Sequence, residues 1–132
     1  MGVSPPSYPT AHGLGGAERR TNVNIVEMSQ EFLDVIRKAA KKKILFLPHA
    51  VRQMSRPDRM ITTEDVREVL MGREIIEDYP EDVRGHSCLM LGTDKTGRAI
   101  HVVCSPKEDY LAIITTYLPD PSQWHSDFRK RK

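Results

Sequence analysis

The sequence predicts an α+β domain, with two to three helices first and a four-stranded antiparallel meander sheet after them. Three observations carry this. Between Ser29 and Gly72 apolar residues recur with a helical period. From Arg73 onward the period changes to 2 or to continuous apolar runs. The links Asp94-Lys95-Thr96-Gly97 and Pro106-Lys107-Glu108-Asp109 are hairpin length, too short for a helix to cross over, so the strands they join must run antiparallel.

Each element has a local reason. Residues 1–27 hold Pro5, Pro6, Pro9, Gly13, Gly15 and Gly16 among small polar residues and show neither period, which reads as a disordered tail. Met28 reads as the natural start; the alternative is a genuine disordered arm. Ser29 can cap a helix to about Lys43, with Phe32, Val35, Ile36, Ala39 and Ala40 as one apolar stripe. Ile44-Leu45-Phe46-Leu47 is an edge strand or a buried connector. Pro48 suits the first turn of a second helix over about His49 to Ser55, which Arg56-Pro57-Asp58 ends. Thr62 and Asp65 resemble a capping box for a third helix, with Val66, Val69 and Leu70 inward and Gly72 as its C-cap. The strands are Glu74–Tyr79, Ser87–Thr93, Ala99–Ser105 and Tyr110–Tyr117. The domain therefore covers 28–125, with Trp124 folding back onto it and 126–132 left as a basic, frayed end.

Bulk properties narrow the function classes. A net charge of +2 and 132 residues fit one mildly basic domain, which neither demands nor excludes nucleic acid. Cys88 and Cys104 have no metal-ligand spacing, so no metal or other cofactor is expected. They fall nearly opposite each other if Asp94–Gly97 closes its hairpin symmetrically, and small-residue packing is their expected role. The absence of a long apolar run argues against a signal peptide or membrane span and for a cytoplasmic protein with free thiols.

Several residues carry chemistry. His101, mid-strand in an apolar run, can exchange protons near neutral pH; the plainer reading is a histidine bonded within the sheet. Arg98, at the hairpin before it, could clamp a phosphate or simply be a solvated turn residue. His49 opens the second helix near Arg52, Arg56 and Arg59, an arrangement suited to an anion or to tying helix to sheet. Tyr117 could orient a ribose or stack a base, or pack at a strand end. Lys42 and Lys43, in the cationic end of the first helix, suit the helix dipole or a phosphate backbone. The acidic run Glu77–Asp82 matches no metal-site spacing and reads as a solvated loop.

The segments "LPHAVRQM", "DRMITTEDVREVLMGREIIEDYPED", "LMLG", "GRAIHVV" and "IITTYLPDPSQW" occur in an order that resembles a bacterial family known as domain of unknown function 4258, over about Ile44 to Trp124. That family is similar in layout to RelE-like and barnase-like ribonucleases, and some members are encoded beside an antitoxin. The resemblance implies a toxin-type endoribonuclease, with RNA as substrate and an antitoxin protein as partner. Its recurrent polar positions fall on His49, Arg59, Arg98, His101 and Tyr117. Many members carry arginine where this chain has Gln53, so Arg52, Arg56 or Arg59 would have to take over any phosphate contact made there.

Together these readings give metal-independent RNA cleavage. His101 and His49 would share the acid and base roles, Arg98 and Arg59 would stabilise the phosphorane, Tyr117 would orient the sugar, and Arg52, Arg59, Lys42 and Lys43 would hold the substrate. The alternatives are a non-catalytic module that binds a partner through the same sheet face, or a plain RNA-binding domain.

Overall fold

The computed structural model describes residues 22–132 of the chain. The tail expected over 1–27 lies outside the described residues as far as residue 21. Helix α1 runs Asn22–Lys42, so Ser29 sits inside it and does not cap it. Strand β1 is Ile44–Phe46, helix α2 Pro48–Met54 and helix α3 Thr63–Gly72. Strands β2 Ile75–Tyr79, β3 Ser87–Thr93, β4 Ala99–Pro106 and β5 Leu111–Tyr117 follow.

The sheet has five strands in the order β1-β5-β4-β3-β2. The four-stranded antiparallel sheet expected from the sequence needs correcting by one strand. The β2 to β5 meander is antiparallel throughout, but β1 adds to β5 in parallel, pairing Ile44 with Leu111 and Phe46 with Ile113. Bonds from Leu111 N–H to the Lys43 carbonyl (2.8 Å) and from Leu47 N–H to the Ile113 carbonyl (3.1 Å) extend the pairing. Without β1, strand β5 would present an open row of donors and acceptors. The apolar run Ile44–Leu47 allows an edge strand, and the structure takes that alternative for Ile44–Phe46; its parallel pairing with β5, at the other end of the domain, leaves no local pattern in the sequence.

The helices pack on one face of the sheet. Phe32, Leu33, Ile36 and Ala39 of α1, Ala50 and Met54 of α2, and Val66 and Val69 of α3 meet Met90, Ile100, Val102 and Ile113. Leu33 takes the core position that spacing assigned to Val35, which is 49% exposed. Helix α3 approaches β3 at Gly92, where a Cβ would lie 2.8 Å from the Val69 Cα. The capping box of α3 forms as expected, with Asp65 N–H donating to Thr62 Oγ1 at 3.0 Å and Thr62 N–H to Asp65 Oδ2 at 2.9 Å. The helix ends one residue later than expected: Arg73, not Gly72, takes the left-handed conformation, at φ 58°.

The opposite face carries a second apolar layer of Tyr79, Leu89, Val103 and Ile114, closed by Trp124 with Phe128 and Tyr117 against it. The C-terminal end, expected to fray, is tied down. Arg131 forms a bidentate pair with Glu77 (2.8 and 3.1 Å), Arg129 pairs with Glu74, and Trp124 and Arg131 form a β-bridge.

Candidate functional site

His101 lies on β4 directly opposite Tyr117 of β5, on the face away from the helices, and is fully buried. Its Nε2 is 3.0 Å from the Phe128 carbonyl, which can only accept, so this nitrogen carries the proton. Nδ1 then accepts from the Tyr117 hydroxyl at 3.3 Å. The Trp124 ring closes over the imidazole edge-on, with centroids 4.5 Å apart. Burial lowers the His101 pKa to about 4, with Arg131 adding to the effect and the Phe128 carbonyl and Glu77 opposing it. The ring is therefore neutral at physiological pH, with both nitrogens engaged.

Beneath it runs a buried polar network. Glu77 accepts both from Arg131 and from the Tyr79 hydroxyl, and the Arg131 guanidinium lies 4.6 Å from the Trp124 ring centroid. Burial and the Glu77 charge push the Tyr79 phenol well above its ordinary value. Burial works to lower the Arg131 pKa, but its bonds to Glu77 outweigh that and raise it. The segment carrying Trp124 and Phe128 occupies the sheet face that a partner-binding reading of this domain requires.

His49 has a different neighbourhood. It stands half-buried on α2, and its pKa is lowered first by burial and then by the charges of Arg52 and Arg59. Arg52 is exposed and, among the described residues, has no carboxylate within ion-pair distance. Arg59 is half-buried and donates to Gln53 Oε1, which fixes its guanidinium beside α2. Gln53 sits one helical turn after His49, on the same side of α2. An imidazole, two guanidiniums and an amide thus share one surface.

Arg98 borders this surface, but its donors are used within the chain. Nε bonds Asp94 at 2.9 Å, Nη1 the Arg59 carbonyl and Nη2 the Met60 carbonyl at 3.2 Å. It thereby staples the turn around Met60, which has a left-handed φ of 51°, to the β3–β4 hairpin. Lys42 and Lys43 lie elsewhere. Lys42 donates to the Glu108 carbonyl at 2.9 Å, beyond the far end of β4 from Arg98. The eight residues of β4 separate them by roughly 26 Å at about 3.3 Å per residue. The eight sequence-predicted residues thus divide into three places: His49, Arg52, Arg59 and Arg98 together; His101 with Tyr117 under Trp124; and Lys42 with Lys43 at the opposite end.

The acidic run is not a solvated loop. Glu77 meets Arg131, Asp78 Oδ1 lies 2.6 Å from His86 Nε2, and Asp82 accepts from Arg84 and from Ser87 Oγ at 2.7 Å. His86 also stacks on Phe32, with centroids 3.6 Å apart. Sequence reasoning missed the His86–Asp78 pair because its members lie on either side of the loop after β2. Cys88 and Cys104 are register partners, as hairpin symmetry predicts, and both are buried. The hydrogen bond to Cys104, then burial, pushes the Cys88 thiol up.

Among the described residues, no three His, Cys, Asp or Glu side chains gather so as to hold a metal ion, and no helix is long and apolar enough to cross a membrane. Residues 46–118, more than half of the chain, match the family described as Domain of unknown function (DUF4258). No curated protein and no solved structure matches the chain.

Proposed function

We propose, from the premise that this chain belongs to the DUF4258 family, that it is a toxin-type endoribonuclease acting through His49, with Arg52 and Arg59 holding the scissile phosphate. One observation carries this reading: the half-buried imidazole of His49 stands on α2 with Arg52 one turn along and Arg59 held by Gln53 beside it, and burial and the two guanidinium charges lower its pKa. A neutral imidazole can accept a proton, and the same guanidiniums favour a dianionic phosphorane. In the reaction the His49 imidazole takes the proton of a ribose 2′-hydroxyl. O2′ bonds to the adjacent phosphorus, the bond to the 5′-oxygen breaks, and that oxygen leaves with a proton drawn from water. The product is a 2′,3′-cyclic phosphate. This chemistry needs no metal, since the nucleophile belongs to the substrate. Likeness to RelE-like and barnase-like ribonucleases is part of this proposal. His101 keeps the place of a positioning residue in the sheet, because its nitrogens are held by Tyr117 and Phe128.

Purified chain incubated with RNA in EDTA tests this. Cleavage should fall about a hundredfold or more in His49→Ala and should survive in His101→Gln at a temperature where that variant is folded. Equal cleavage by wild type and His49→Ala, or none by wild type, removes the proposal. The burial of His101 leaves the α2 surface with His49 alone as its imidazole, not a pair, and this favours a second reading: RNA is bound there without being cut. That reading predicts salt-sensitive RNA affinity, lost in Arg52→Ala and Arg59→Ala, with no cyclic phosphate formed.

A further inference from the structure

Helices α1 and α3 lie on the same face of the sheet, and a groove of about 360 Å³ runs between them. Its floor is aliphatic: Leu33, Ile36 and Ala40 on one side, Leu70 and Met71 on the other, with Ile44 at one end. Met71 is 75% exposed, a large apolar side chain turned to solvent. The rim is cationic, with Arg37 and Lys41 from α1 and Arg67 and Arg73 from the α3 side. Asp34 serves Arg37 (3.4 Å) and Arg73 (3.5 Å) together. Lys41 and Arg67 have no carboxylate within ion-pair distance among the described residues.

We propose that this groove is the docking site for an acidic amphipathic helix of a partner protein. An aliphatic floor between two cationic rims is the complement of a helix with one apolar stripe flanked by Asp and Glu. The lining stretch of α1 from Leu33 to Lys41 spans roughly 12 Å at about 1.5 Å per residue, a little over two turns. That is room for anchors at positions i, i+3 or i+4, and i+7. A nucleic acid could reach the cationic rim with its phosphates, but the aliphatic floor would leave its polar sugars against apolar side chains and gives its bases no aromatic ring to stack on. The chain's own residues 1–21 do not complement the rim, since Glu18 stands there against Arg19 and Arg20. The groove lies apart from His49, so this inference stands whether or not the chain cleaves RNA.

Fluorescence anisotropy with the full chain tests it. The probe is a labelled peptide of about three turns, with leucines at i, i+3, i+4 and i+7 and glutamates elsewhere. The glutamate peptide should bind, more weakly as salt rises. A lysine version and a version with scrambled leucines should bind at least about tenfold more weakly. Met71→Asp, and Lys41→Glu with Arg67→Glu, should each weaken binding of the glutamate peptide about tenfold or more. These positions are exposed, and circular dichroism with the thermal midpoint verifies that the variants fold. Equal binding of the three peptides, or variants that bind as wild type does, overturns the proposal. So does self-association in sedimentation that Met71→Asp abolishes, because the occupant is then a second copy.

Discussion

Acid should destabilise this protein through His101 in particular. The unfolded imidazole titrates near 6.5 and the folded one at about 4. Between those values the unfolded chain binds a proton that the folded chain refuses, so stability is highest above pH 6.5 and falls as pH drops toward 4. The gap of about 2.5 pH units is worth about 3 kcal/mol at ~1.36 kcal/mol per unit, of which about 2 kcal/mol is lost between pH 7 and pH 4.5. His101 is fully buried, so the figure needs no discount for solvent. Glu77 and Arg131, paired with each other, face the same ring, while Asp82 and Asp94 are held below the usual carboxylate range and titrate lower. His49 shifts in the same direction, so the comparison must be with a variant. Urea denaturation of wild type and His101→Gln at pH 7 and pH 4.5 isolates the contribution. The variant should start less stable, having lost a bonded and packed imidazole, but should lose about 2 kcal/mol less on acidification. Equal losses in the two proteins would refute the reasoning, because another group would then carry the pH dependence.

Two stability predictions follow from contacts. Gly92→Ala should cost about 1–3 kcal/mol, because the new methyl meets the Val69 backbone at 2.8 Å; Val69→Ala should not restore the loss, since it leaves that Cα in place. A double-mutant cycle by denaturant midpoint measures both. Arg131→Ala should cost about 2 kcal/mol, reduced by the partial exposure of the arginine, because Glu77 is left buried with its charge uncompensated. Adding Glu77→Gln should recover part of the loss in the same assay, and no recovery would mean that packing against Trp124 was the larger contribution.

Much of the fold was legible because its signals are local. The strand Ser87–Thr93 has the bounds its sequence predicts, and Cys88 and Cys104 pair as a symmetric Asp94–Gly97 hairpin requires. What could not be read depends on distant partners. The run Ile44–Leu47 allows an edge strand or a connector, and only its parallel pairing with β5 decides between them. Glu77 and Asp82 look solvated in sequence, since nothing nearby announces that Arg131 and Ser87 will meet them. The candidate site was half legible for the same reason. His49, Arg52 and Arg59 lie within eleven residues and stay together. His101 reads as a mid-strand residue in an apolar run, and so it is, but its partner Phe128 belongs to a segment whose composition gives no period, so its burial has no signature.

Gln53 is where the resemblance and the geometry can be weighed against each other. Its amide oxygen accepts from Arg59, and an arginine there could not. Gln53→Arg would release Arg59, add a third guanidinium one turn from His49 and lower the His49 pKa further. Gln53→Glu would keep the bond to Arg59, strengthen it by charge and raise that pKa. Proton NMR titration of the His49 ring reads both changes directly, with no need for a substrate. Displacements in opposite directions from the wild-type midpoint would place His49, Gln53 and Arg59 in one electrostatic unit. Should His49 titrate alike in all three proteins, its neutrality would have to come from burial alone. The guanidiniums would then be too far away to share a phosphate with it.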